Sequence, residues 1–280
     1  MGFQRLATVL TILLVGGSGT LPVAPPAASA PPSSPKQLIE SLMATCMERH
    51  GFRYVQGREP VPPTEAERAL ADGEYAPLLA ERSKNGFRLF ARFVFPAETG
   101  PGGVAAYSEH PNNATIRALS RTQAQAYFEA QASCHAWSAQ TALGKKVTGL
   151  EDLDRQREAA VRAAQEHTFD DDPWLVAKAR DYAACLRAKG RPVTDQRPSQ
   201  ITGQARKPFS EQLWELGRRQ WPRIVGNVMP DLTRAEAAPY FAEERRAALD
   251  DLECGKDFNP VYLPRANAVE ARVNREWGYE

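Results

Sequence analysis

This chain of 280 residues has few of the local patterns that announce chemistry. It contains no Gly-x-Ser-x-Gly elbow, no His-Glu-x-x-His helix, no phosphate-cradling glycine loop and no calcium-loop pattern, so no catalytic or cofactor motif can be assigned. Charge of one sign is also lacking: the formal net charge is +1, and the balance as a whole names no partner. No apolar run after residue 15 is long enough to cross a bilayer, which takes about 20 residues. Cysteine is scarce, with four residues and no Cys-x-x-Cys pair, which argues against a thiol redox centre or a zinc ribbon.

What is present begins with an address. Arg5 precedes an apolar run from Leu6 to Val15, glycine and proline break it, and Ala28-Ser29-Ala30 is the small-x-small pattern of a signal-peptidase site. The expectation is a leader over 1–30, a flexible lead-in over 31–35, and a protein that is secreted or associated with the cell envelope after cleavage near Ala30. No cysteine lies in or beside the leader, so a lipid anchor there is not supported. Removing Arg5 with the leader brings the net charge to about zero.

The mature chain repeats itself. Cys46-Met-Glu-Arg-His-Gly51 returns as Cys185-Leu-Arg-Ala-Lys-Gly190, each time at the end of a helical stripe. Leu38, Ile39, Leu42, Met43, Cys46 and Met47 make the first stripe, and Leu175, Tyr182, Cys185 and Leu186 the second. Each glycine supplies the left-handed residue that closes a helix. One more cysteine follows each copy, Cys134 and then Cys254. An even set in an exported chain reads as disulfides, and four cysteines allow three pairings. The repeat favours Cys46 with Cys134 and Cys185 with Cys254, closing loops to which the chain-entropy model assigns about 4 kcal/mol each.

The expected fold is therefore mainly α, a helical bundle-like arrangement of two related halves, 36–149 and 150–280, each stapled by one disulfide and packed together as one domain. Thr64-Glu-Ala-Glu67 and Ser120-Arg-Thr-Gln123 are capping boxes that start helices. Further helices are expected over 76–85, closed by Gly86, over 151–167, after Asp172-Pro173, from about Phe209, over 232–254 and from Asn259-Pro260. Phe87, Leu89, Ala91, Phe93 and Phe95 alternate with Arg88, Phe90, Arg92 and Val94, which predicts one strand. Thr99 to Asn113, rich in glycine, proline and asparagine, reads as a surface loop.

These motifs resemble those of a family of uncharacterised exported or lipid-anchored actinobacterial proteins. The family's helix ending Cys-Met-x-x-x-Gly-aromatic is matched by Cys46, Met47, Gly51 and Phe52, and its small-Cys segment by Ser133, Cys134 and Ala136. Its second Ala-Cys-x-x-x-x-Gly helix is matched by Ala184, Cys185 and Gly190, and its final acidic helix by Asp251 and Cys254. Here the lipobox cysteine is missing, and Arg191-Pro192 stands where an aromatic usually follows the second glycine. The resemblance implies a helical, disulfide-bonded exported protein and brings no activity with it.

Few residues remain to carry function. His135 beside Cys134 would point to a different helix face from the cysteine, and the Asp170 to Asp172 cluster near His167 reads as helix capping. Asp251 is expected to meet an arginine. No catalytic, cofactor or metal site is assigned. Arg187 to Arg223 holds nine Lys or Arg residues against three acids, and Arg187, Lys189, Arg191, Arg206, Lys207, Arg218, Arg219 and Arg223 form the candidate binding surface. A second, weaker candidate is the Phe87 to Phe95 segment with its interleaved arginines. The expected role is noncatalytic binding or interaction, with an anionic cell-envelope polymer or an exported protein as partner. Nucleic acid is excluded by export. The alternative is a secreted hydrolase whose acids converge only in the fold.

Overall fold

The Ser34 hydroxyl accepts a hydrogen bond from the Gln37 amide at 3.2 Å and Pro35 occupies the first turn, so the chain is helical from Pro35. The computed structural model describes residues 34–57, 62–96 and 111–280. The leader, most of the lead-in, part of the proline-rich loop and most of the 99–113 loop lie outside the described residues. Pro35 itself belongs to the first helix and not to a flexible lead-in.

Among the described residues there are twelve helices and no strand. They are α1 (Pro35–Arg49), α2 (Glu65–Ala71), α3 (Tyr75–Asn85), α4 (Ala91–Val94), α5 (Asn112–Arg117) and α6 (Arg121–Leu143), followed by α7 (Leu150–Phe169), α8 (Pro173–Ala188), α9 (Pro198–Ile201), α10 (Lys207–Gln220), α11 (Arg234–Cys254) and α12 (Asn259–Glu276). Reciprocal capping boxes open α2 at Thr64 and α6 at Ser120, as expected, and a third opens α11 at Thr233. Asp172 accepts from the Trp174 and Leu175 amides at 3.1 and 3.2 Å, which settles its role as a cap of α8. No described helix is long and apolar enough to cross a membrane.

The two Cys-x-x-x-x-Gly helices end alike. Gly51 and Gly190 have φ of 79° and 74°, and Phe52 and Arg191 each donate back to the carbonyl five residues earlier, Met47 and Leu186, at 2.9 Å. This six-to-one bond defines the Schellman close. The disulfides follow the expected pairing: Cys46–Cys134 joins α1 to α6 with Cα atoms 5.6 Å apart, and Cys185–Cys254 joins α8 to α11 at 5.5 Å. No cysteine is free.

The described residues form one compact unit. Ile39, Met43 and Met47 of α1 pack on Tyr127, Ala130 and Cys134 of α6. A second core gathers Leu175, Ala179 and Tyr182 of α8 with Ile201, Phe258 and Tyr262, and a third joins α7 to α12 through Leu153, Val161 and Val273. The elements cross the division expected at 149/150, because α3 and α4 lie on α11 and α2 lies on α12.

The segment expected as a strand is not one. Gly86 and Arg88 have φ of 60° and 65°, and the chain turns and enters the single-turn α4. Leu89, Phe90, Ala91 and Val94 are buried against Phe209, Leu213, Ala237 and Phe241. Alternation is lost because the Glu244 carboxylate, projecting from α11, accepts from the Leu89 and Phe90 amides at 2.8 Å each. A side chain 154 residues away thus supplies the backbone acceptors that a sheet neighbour would have offered.

Candidate binding surface

Helix α8 ends in the Gly190 turn, which lays Arg191 onto α11. Its guanidinium reaches Glu243 at 2.6 Å and Asp250 at 2.7 Å, and its side chain is only 16% exposed. Burial works against its charge, but the two carboxylates outweigh it and hold its pKa above the ordinary arginine value. Lys189 adds a 3.3 Å contact to Asp250, and Arg187 donates to Gln196 and to the Val193 carbonyl. These three cations tie α8 and its following loop into the fold.

The remaining five lie on and around α10. Arg206 and Lys207 are exposed at its start, Lys207 3.9 Å from Glu211. At its end Arg218 and Arg219 share one carboxylate, Glu215, at 3.0 and 2.8 Å. Hydrogen bonds from Arg219 and then Arg218 hold the Glu215 pKa below the usual range. Arg223, in the loop that follows, is exposed and makes no ion pair or hydrogen bond among the described residues. The structure therefore divides the candidate surface into Arg191, largely covered by α11, with the exposed Arg187 and Lys189 beside it bonded to neighbouring groups, and a second exposed set along α10.

The aromatic segment is no surface of its own. Arg88 pairs with Glu81, Arg92 reaches the Met229 sulfur at 3.7 Å, and the rings pack under α11.

Among the described residues two carboxylates are buried, both on α11. Glu244 is fully buried, and burial raises its pKa although the Leu89, Phe90 and Phe87 amides pull it down. A Cβ on Gly86 would come within 3.2 Å of this carboxylate, which is why a glycine stands there. Asp251 accepts from Tyr182 at 2.5 Å and pairs with Arg82, which also donates to the Ala248 carbonyl at 3.0 Å. The expected arginine partner thus comes from α3, 169 residues away. Burial raises the Asp251 pKa against the pull of Arg82 and Tyr182.

Neither acid lines the clefts along α1, beside His135 or beside the Cys185–Cys254 disulfide. One cleft, about 570 Å³, runs from Ser41 to Glu48 of α1 and along Gly51 to Gln56, with Glu48 as its carboxylate. A second, about 370 Å³, holds His135, Glu151, Asp152 and Arg155, but Asp152 is committed to the Thr148 amide at 2.9 Å and to Arg155. In a third, beside the Cys185–Cys254 disulfide, Glu253 pairs with Lys256 and Asp257 with Lys178. Cys46, His50 and Cys134 bring three potential ligand atoms within 4.8 Å of one another. Both sulfurs are bonded to each other, so this group offers a metal one imidazole and no thiolate. His135 faces the second cleft and takes no part in it.

One exposed apolar loop has only a faint signal in the sequence. Trp221, Ile224 and Val225 are 46%, 51% and 100% exposed within five residues. The apolar pair Ile224-Val225 between Pro222 and Gly226, after a basic helix end, was the available signal.

Comparison with protein-family models, with curated proteins and with solved structures gives no match for this chain.

Proposed function

We propose that the protein is a noncatalytic binding protein at the cell envelope or outside the cell, holding an anionic envelope polymer against the exposed cations of α10. The observation that carries this reading is the charge at the end of that helix. Arg218 and Arg219 share a single carboxylate, and Arg223 beside them has no acidic partner among the described residues. Two positive charges are left for a ligand. Exposed ion pairs of this kind add little to stability, so the fold does not require these arginines. Arg206 and Lys207 extend the cationic strip about 20 Å along the 14-residue helix, a length that suits a polymer better than a compact anion. Two disulfides suit an oxidising compartment. The hydrolase alternative gains no support from the acids, since the two with raised pKa values are buried and occupied by the protein's own donors.

The test is cosedimentation of the oxidised chain from Pro32 with purified bacterial cell walls at low and high salt. Pelleting that high salt abolishes, and that Arg218→Glu with Arg219→Glu and Arg223→Glu weakens about tenfold or more, is the expected result. Absence of pelleting at every salt concentration overturns the reading.

A further inference from the structure

The loop after α10 carries three exposed apolar side chains and is clasped at its base. At its base the Gln220 side chain donates to the Asp231 carbonyl at 2.9 Å and accepts from the Asp231 amide at 2.6 Å, a two-point clasp. Gly217 lets the returning strand of the loop lie directly on the helix, since a Cβ there would overlap the Val228 carbonyl. The Ile224 amide donates to the Trp221 carbonyl at 3.0 Å, closing a turn in which Pro222 fixes the second position. The turn leaves Trp221 and Ile224 at its two ends and sends Val225 fully into solvent.

Scattered exposed apolar side chains are ordinary, whereas here three fall within five residues of one clasped loop. Val225 stands wholly in solvent, so the loop suits a medium that can deform around it. Tryptophan prefers the boundary between acyl chains and headgroups, and arginine beside it reaches anionic headgroups. Arg218, Arg219 and Arg223 supply that charge against Glu215. We infer that the Trp221–Val225 loop inserts into an anionic lipid surface, with the three arginines holding the headgroups around it. This inference rests on the envelope-binding reading and names lipid as the surface that the loop meets. The loop is a shallow anchor and no span, so binding is reversible.

The experiment uses the oxidised chain from Pro32 with vesicles of phosphatidylcholine, with and without phosphatidylglycerol, measured by flotation. Vesicles with brominated acyl chains report insertion through quenching of tryptophan fluorescence. The expected result is binding to the phosphatidylglycerol vesicles, with quenching that Trp221→Phe abolishes. Replacing Trp221→Ala, Ile224→Ser and Val225→Ser together should lower vesicle binding about tenfold or more and leave cell-wall pelleting unchanged. All three side chains are exposed, and circular dichroism verifies that the variant is folded. Arg223→Glu should weaken binding to the phosphatidylglycerol vesicles about fivefold or more, and it also removes one of the charges used in cell-wall pelleting.

Vesicle binding that survives the apolar replacements, or that shows no quenching, overturns the inference and leaves charge as the whole of the interaction. No vesicle binding with cell-wall pelleting intact overturns it while the envelope reading stands. Loss of both sinks both. If the loop instead meets an apolar groove on another protein, vesicles give no signal, and that outcome also counts against the inference.

Discussion

At the scale of single residues, α11 concentrates the energetic risk. Asp251 is 1% exposed and relies on Arg82 and Tyr182 to offset the loss of water. Removing one partner of such a pair costs more than the pair contributes, because the other charge stays behind. Such a loss costs about 3 to 5 kcal/mol, and the Arg82 side chain is 17% exposed, which places Arg82→Ala at the low end, about 3 kcal/mol, to be read from urea unfolding. Glu244 makes a different prediction, about pH. Burial raises its folded pKa, so the folded state binds this proton more readily than the unfolded state does. Its contribution is fully present below the unfolded pKa, about 4, and is lost as pH rises through the folded value. Glu244→Gln removes this dependence and sacrifices one acceptor for the Leu89 and Phe90 amides. The gap in Tm between native protein and variant should therefore narrow as pH rises from 4 to 7. A gap that widens would mean that the amides hold the ionised form more strongly than burial penalises it.

At the scale of elements, paired helices are closed by the same devices in two places. Schellman turns at Gly51 and Gly190 end α1 and α8, and a disulfide from the last turn of each reaches a longer helix, α6 or α11. The closed loops span 88 and 69 residues, a difference too small for chain entropy to separate. Replacing Cys46→Ala with Cys134→Ala, or Cys185→Ala with Cys254→Ala, should each lower the unfolding free energy by about 4 kcal/mol. Chemical denaturation of the two variants measures this. A difference well above 1 kcal/mol would locate extra strain or residual structure in one loop and not the other.

At the scale of the whole molecule, the helices of the first half do not keep to themselves. Helices α3 and α4 complete the core around α11, and the Arg82–Asp251 pair and the Glu244 cage lock them there. Unfolding of 150–280 would strip these contacts from the first half. The oxidised chain from Pro32 should accordingly unfold in one calorimetric transition whose enthalpy matches the van't Hoff value. Two transitions would show that 36–149 and 150–280 unfold independently.

The local sequence was enough for whatever depends on neighbours a few residues away. Apolar spacing, the Thr64 and Ser120 boxes and the closing glycines placed most helices, because caps and helical faces are set within one or two turns. The repeat of Cys46 and Cys185 pointed to the pairing of the disulfides. The Phe87 to Phe95 alternation failed for a long-range reason: the acceptor of its amides is Glu244, on a helix that its own neighbours do not encode. Likewise the eight candidate cations looked equivalent in a count of charges. Only tertiary packing brought Glu243 and Asp250 against Arg191 while leaving Arg218, Arg219 and Arg223 around the exposed Trp221 turn, because whether a charge is paired depends on what the fold sets beside it.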